Sequence, residues 1–442
     1  MINIAVKKFA LGSILIALAG PAAAITTDEV LAWIAAPGPV VLPDAGRTLG
    51  AQDAALIASL LPPGYAQEYQ FPDVKMEIQA TAQILPHPSY TVATEQFAGT
   101  AKIAADGSLE NFTAGRPFSA QQIAASTPEQ AGLMLAWDRI HRWQYFGWRN
   151  DQLTMNYIKP APVAGRGTLH EGILGGGHIE RFVVQNYQRV YLNHLAWLGS
   201  NGYRAEADDA TTRLYKDYVE FLEPFDVKGT KFVVERPLAA TEEDQVNSYL
   251  PSQRRVRRLS SQERADAYMG TDMTMDDFEG FSGRVLDFDW KLLGEKDVLS
   301  VVDSASPLPT FTGPQSRTPL DRWQVRRCYV VEGRPKWSGH PYSRKIFFFD
   351  VETMGSSIAL AFNRKDELWR MFGVVYYRPA PDNTTPERAL ETSVPLWSAT
   401  FAIDALGNTS TISRADKATT SPSMSKQQIK RRFDVSSLTE GR

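Results

Sequence analysis

From Val74 to Ile84 apolar and polar residues alternate strictly, with Val74, Met76, Ile78, Ala80, Ala82 and Ile84 on one side and Lys75, Glu77, Gln79, Thr81 and Gln83 on the other. A period of two belongs to a strand, so this segment predicts a strand with one face in the core. The same period returns at Leu286, Phe288, Trp290 and Leu292, set between Asp287, Asp289 and Lys291. Arg322 to Val331, Arg344 to Asp350, Ser357 to Phe362 and Glu367 to Tyr377 then follow at short intervals. Turn signals at Glu332-Gly333, Met354-Gly355 and Asn363 to Asp366 separate them, so neighbouring strands pair antiparallel as a meander. Further strands are expected at Ile179 to Gln185, Gln188 to Leu192, Thr230 to Glu235 and Gln245 to Leu250. Asp106-Gly107 has the composition of a two-residue hairpin turn.

Helical signals are fewer. Thr27, followed by Asp28 and Glu29, predicts a cap for a short helix through Ile34, and Asp53 to Leu61 predicts a second that Pro62 and Pro63 end. The clearest runs from a Ser126 or Thr127 cap, with Pro128 in its first turn, through Leu133, Leu135, Ile140 and Trp143 to Phe146 and Gly147. After Pro379 the chain turns polar, and Lys417 to Gln428 is rich in Ser, Thr and Lys, which predicts an extended arm or a partly disordered tail. The fold class is therefore α+β and mainly antiparallel, one large twisted sheet with a few covering helices, because an open sheet of this size needs its apolar face covered.

Charge and composition narrow the function. The 442 residues are 43% hydrophobic and 22% charged, an ordinary globular mix. With 47 basic and 50 acidic residues and no long basic run, nucleic-acid binding is excluded. At the start, Lys7 and Lys8 precede an apolar run from Phe9 to Leu18 and the small residues Ala22, Ala23 and Ala24, the pattern of a secretory signal peptide over 1–24. The run is shorter than the ~20 residues a spanning helix needs. The single cysteine, Cys328, forms no intramolecular disulfide, and none lies near the cleavage point for lipid attachment. A soluble, exported, unlipidated periplasmic protein beginning at Ile25 is expected.

Candidate chemistry is sparse. The six histidines are His87, His141, His170, His178, His194 and His340, and none forms an HExxH pair. His170-Glu171 with His178 is the nearest approach to a metal site, inside a glycine-rich stretch from Gly165 to Gly177 that lacks phosphate-loop spacing. No G-x-S-x-G elbow is present. Cys328 sits in a strand pattern as a buried thiol, and Asp272, Asp276, Asp277 and Glu279 lack calcium-loop spacing and read as a solvated acidic turn. No catalytic residue, metal or cofactor is assigned. Arg254, Arg255, Arg257 and Arg258 are the most unusual charges: on a strand, Arg254 and Arg258 share a face with Val256, while Arg255 and Arg257 share the other. Some are expected to pair with the acidic turn, or one to meet an anionic headgroup or a partner protein, which guanidinium groups bind bidentately.

The stretch from Tyr249 to Phe281, YLPSQRRVRRLSSQERADAYMGTDMTMDDFEGF, resembles an exported bacterial family, the domain of unknown function 1329, similar to outer-membrane lipoprotein-sorting proteins. FFFDVETMGSSIALAFNRKDELWRMF downstream, SYTVATEQFAGTAKIAADGSLENFTAGRPF from Ser89, and the ending RRFDVSSLTEGR carry the same resemblance. It implies a curved sheet, a half-open barrel of the lipoprotein-carrier type, as a single domain over 25–382 with a C-terminal extension over 383–442. It also implies an apolar cavity for lipid or another hydrophobic cargo, and work beside an inner-membrane export pump or an outer-membrane protein. If the sheet curls in that way, Leu286, Phe288, Trp290 and Leu292, with Phe347, Phe349, Trp369 and Met371, look inward and line the cavity. The expected function is a non-enzymatic carrier or chaperone, and the alternative is a structural or adaptor subunit of an envelope export complex.

Overall fold

The computed structural model describes residues 24–161, 168–170 and 172–439; the expected signal peptide, up to residue 23, lies outside them. Thirteen long strands carry the fold: β1 (Trp148–Lys159), β2 (His178–Tyr191), β3 (Arg213–Glu223), β4 (Lys231–Pro237), β5 (Gln245–Leu250), β6 (Arg255–Leu259), β7 (Phe288–Ser300), β8 (Arg322–Pro335), β9 (Arg344–Asp350), β10 (Ser356–Phe362), β11 (Leu368–Tyr377), β12 (Leu396–Asp404) and β13 (Thr409–Thr420). They pair in the order β7 to β13 and then β1 to β6, each antiparallel to its neighbour. Thr48–Leu49 and Met76–Ile78 extend the β8 end and complete a 15-stranded sheet. β6 and β7 lie at opposite ends, so the sheet does not close. Helices are α1 (Thr27–Ala35), α2 (Ala54–Leu60), α3 (Pro63–Glu68), α4 (Pro88–Gln96), α5 (Ala120–Ala124), α6 (Pro128–Ile140), α7 (Pro386–Thr392) and α8 (Lys426–Phe433). Among the described residues no helix is long and apolar enough to cross a membrane.

Most expected strands are present with adjusted ends. Ile179 to Gln185 and Gln188 to Leu192 are one strand, β2, and Leu286 falls in a short 3-10 turn just before β7. Glu332-Gly333 is no turn. Both lie inside β8, where a side chain at Gly333 would press on Trp290 and Phe347, so the glycine serves close packing. The alternation from Val74 is paired only over Met76–Ile78, because Thr48–Leu49 and Arg322–Trp323 are its whole ladder; Ala80 is exposed. Thr26, with Glu29 as its reciprocal partner, caps α1 in place of Thr27. Thr127 caps α6, which stops at His141 and leaves Trp143 and Phe146 in the turn beyond.

The stretch after Pro379 is not a tail. β12 and β13 are central strands, with Ser398, Thr400, Ser410, Thr411 and Ser413 buried in them. These hydroxyl side chains make the segment read as polar, yet they are small enough to sit under close-packed neighbours, and Thr409 and Thr411 donate to Asp272. α8 then buries Ile429 and Phe433.

One face of the sheet packs under α1, α2 and α3, around Ile57, Leu60, Tyr65, Phe348, Leu360 and Phe401. The other is filled partly by α6 and partly by the chain itself. Residues 260–287, between β6 and β7, run across this face and insert Tyr268, Met273, Phe281 and Val285 into its core. Their carboxylates are held from the elements beneath. Asp277 accepts from Lys345 Nζ at 2.6 Å and Tyr342 OH at 2.9 Å, and Glu279 accepts from Arg142 at 2.5 Å, with Arg139 at 3.7 Å. Asp276, by contrast, accepts from Arg264 of the same segment at 2.8 Å. Gly280, at φ +80°, lies so close to Ser356 that a side chain would collide with it. The expected solvated acidic turn is therefore a buried plug, and its partners are not the Arg254 to Arg258 cluster.

Burial disfavours the Asp277 carboxylate, but Lys345 and three further hydrogen bonds outweigh it, so its pKa stays below the usual value. Replacing Lys345 with methionine strands that charge in the core. Lys345→Met should cost about 3 to 5 kcal/mol, read from urea unfolding midpoints against the unaltered chain.

Candidate functional site

The residues expected to line a cargo cavity are packed against one another. The Trp290 ring lies 5.2 Å from Phe281, 5.5 Å from Phe288 and 5.6 Å from Phe347, and its Nε1 donates to the Val285 carbonyl at 2.7 Å. Phe347 stacks on Phe349 at 5.5 Å, and Leu286 and Leu292 border the same cluster. Trp369 packs on Tyr342 at 5.7 Å and donates to Asp404 at 2.9 Å. Met371 points to the opposite face, beside Leu368, because the β10–β11 register slips by one residue at Trp369. Arg254, Arg255, Arg257 and Arg258 are exposed on or beside the edge strand β6. Among the described residues Arg255, Arg257 and Arg258 have no ion-pair partner.

A half-enclosed cavity of about 330 Å³ lies elsewhere, at the margin of the plug. The C-terminal turn of α6 gives it Trp137, Ile140 and His141; the hairpin around Asp106-Gly107 gives Leu109 and Phe112; and the loop after β4 gives Leu238 and Ala240. The expected hairpin forms as Lys102–Ile103 against Leu109–Glu110, and Trp137 Nε1 ties it to α6 by donating to the Gly107 carbonyl at 3.0 Å. Phe112 packs against two imidazoles, 4.4 Å from His141 and 4.7 Å from His194, and those two rings are 5.1 Å apart, edge to face. His194 adopts left-handed backbone, φ +60°, held by its N–H on Asn193 Oδ1 at 2.7 Å. Its Nδ1 is 2.7 Å from the Thr113 carbonyl, which only accepts, so Nδ1 carries the proton.

Burial sets the charge state here. It pushes the His194 pKa down to about 4, against the opposing pull of the Thr113 carbonyl, and pushes His141 well below 6.5, with His194 adding to the effect. Both rings are neutral at pH 7. Among the described residues neither pairs with a nucleophile, and the arrangement offers aromatic surface and lone pairs, the features of a binding site. Sequence spacing carries no trace of it: Trp137 and His141 are one helical turn apart, but Phe112 and His194 arrive from separate segments.

Among the described residues no group of three or more His, Cys, Asp or Glu side chains could hold a metal. His178 meets Glu180 at 3.3 Å on the surface, whereas Glu171 and the His170 side chain lie outside the described residues. Cys328 is buried, and burial raises its thiol pKa.

Because Trp290 fills a packed core, Trp290→Ala should cost about 3 to 5 kcal/mol in urea unfolding, the penalty of an emptied aromatic site. The histidines make a second expectation. Unfolded, both imidazoles take up protons near pH 6.5; folded, His194 does not until about pH 4. The unfolded state binds more protons between those values, so their contribution to stability falls as the pH drops from 6.5 to 4. Melting temperatures across that window should fall less for His141→Phe/His194→Phe than for the unaltered chain.

Comparison with known proteins supplies relatives. The uncharacterized protein PA3922 of Pseudomonas aeruginosa is 23% identical over 383 residues, which cover 80% of this chain and 74% of that one. Two solved structures share a TM-score of 0.46 and cover 71% of this chain and 100% of their own: a domain described as that of an outer membrane lipoprotein-sorting protein from Vibrio parahaemolyticus, at 14% identity, and a DUF1329 family protein from Desulfovibrio piger, at 16%. A LolA superfamily protein from Nitrosomonas europaea, NE2245, is 12% identical, with a TM-score of 0.34, and covers 67% of this chain and 94% of its own. A family model described as protein of unknown function, DUF1329, matches residues 48–439, and the chain belongs to that family.

Proposed function

We propose that the protein is a non-enzymatic periplasmic carrier that holds a hydrophobic small molecule during envelope transport. The observation that carries this reading is the half-enclosed cavity of about 330 Å³, apolar along Leu109, Phe112, Trp137, Ile140 and Leu238 and polar at Asp106, Arg236, Glu242 and Arg284. Concave, mostly apolar sites with a few polar groups are how proteins bind small ligands. The family's likeness to lipoprotein-sorting proteins supports the same class of role, and the signal-peptide pattern supports the compartment.

A second reading, an adaptor in an export complex beside an inner-membrane pump or an outer-membrane protein, rests on a different feature. β6 is a sheet edge with one open ladder side, and Arg255, Arg257 and Arg258 stand exposed along it. Exposed edge charges also block strand addition, which any open sheet requires.

Fluorescence titration with N-phenyl-1-naphthylamine separates the two. The carrier reading expects saturable binding by the unaltered chain and its loss in Ala240→Trp, which fills the cavity from a loop. No saturable binding, or binding that Ala240→Trp leaves intact, would hand the function to the adaptor reading.

A further inference from the structure

The lining residues constrain what such a cargo is, granted the carrier reading above. Size comes first. An apolar cavity of about 150 Å³ takes one benzene ring. The cavity here, at about 330 Å³, is little more than twice that, which leaves no room for a multiply acylated lipid. Its walls suit a flat molecule, since Phe112, Trp137, His141 and His194 all present rings to it and ring contacts favour aromatic guests.

The polar rim disfavours an anion. Arg236 is bound by both carboxylate oxygens of Asp244, at 2.6 and 2.8 Å, and by the carbonyls of Gly283 and Ser282 at 3.0 and 3.1 Å. Arg284 pairs with Asp287 at 3.1 Å and donates to the Ala240 carbonyl at 3.2 Å. Both cations of the lining are thus committed to the protein, and Asp106 and Glu242 add negative charge at the same rim. A carboxylate or phosphate would give up its water for no free cation, which is costly.

Acceptors remain. With its Nδ1 proton on Thr113, His194 keeps a lone pair on Nε2. The His141 ring touches Phe112, Trp137 and His194 and makes no hydrogen bond to a described residue, so its ring nitrogens are also uncommitted. Trp137 Nε1 is already used on Gly107. We propose that the cavity binds a compact, uncharged ring compound, about two fused rings in size, whose hydroxyl or N–H donates to His141 or His194, as an aromatic alcohol would.

Calorimetric and competition titrations of the full chain at neutral pH test this with 2-naphthol, naphthalene, 2-naphthoate and palmitate. The expected result is 2-naphthol binding about two- to tenfold more tightly than naphthalene, the worth of one hydrogen bond, with neither anion displacing it. His141→Phe/His194→Phe should bring 2-naphthol down to the naphthalene level; should that variant fail to fold, the ranking in the unaltered chain decides. Equal binding of 2-naphthol and naphthalene, or displacement by either anion, overturns the proposal. Palmitate binding that Ala240→Trp abolishes would overturn it while the carrier reading survives, and no binding of any of the four would overturn both.

Discussion

Everything in this molecule is organised around carboxylates that the chain carries into its own core. A 15-stranded open sheet has two broad apolar faces, and helices α1 to α3 cover only one of them. The second is filled by α6 and by residues 260–287, and what fixes that segment is charge. Asp272, Asp277 and Glu279 are each bound by groups from other elements: the β13 threonines, Lys345 of β9, and the arginines at the end of α6. Buried ions that lose a partner are expensive, so these contacts fix the plug in one position more strictly than apolar packing would. Packing and charge are coupled here, because Lys345 also lies 5.0 Å from the Phe347 ring and 5.1 Å from that of Phe372.

The plug also settles where empty space is left. The aromatic face of β7, β9 and β11 meets Phe281 and Val285 of the plug rather than solvent. A cavity of about 330 Å³ remains at its margin, where the last turn of α6, the hairpin and the loop after β4 converge on Val285 without filling the gap. A cavity in that position is bounded by side chains from distant parts of the chain, so its shape depends on the plug being seated.

Much of the C-terminal meander is legible in the sequence, because its strands alternate and its turns carry Gly, Asn and Asp; β9 has the ends its pattern indicates. What is not legible is anything decided by distant partners. Asp272 to Glu279 look like a surface turn until the cations beneath them are known. β12 and β13 look like a polar tail, since Ser and Thr report nothing of whether a close-packed neighbour covers them. Gly333 reads as a turn although its role is to let two aromatic rings approach. The cavity fails for the same reason: Phe112, His141 and His194 meet only after three separate segments have folded, and no local spacing records that.

The strand order has a consequence for how the chain reaches this state. β1 and β13 are neighbours in the middle of the sheet, paired from Thr420 with Trp148 to Ser410 with Ile158. Two nearest-neighbour meanders are therefore welded at a seam whose halves lie more than 250 residues apart in sequence, a high contact order that slows folding. Until β13 exists, β1 is a bare edge twelve residues long, open to pairing with another chain. The last strand made is the one that hides it, so a molecule arrested before that point is an aggregation hazard and not merely an unfinished fold.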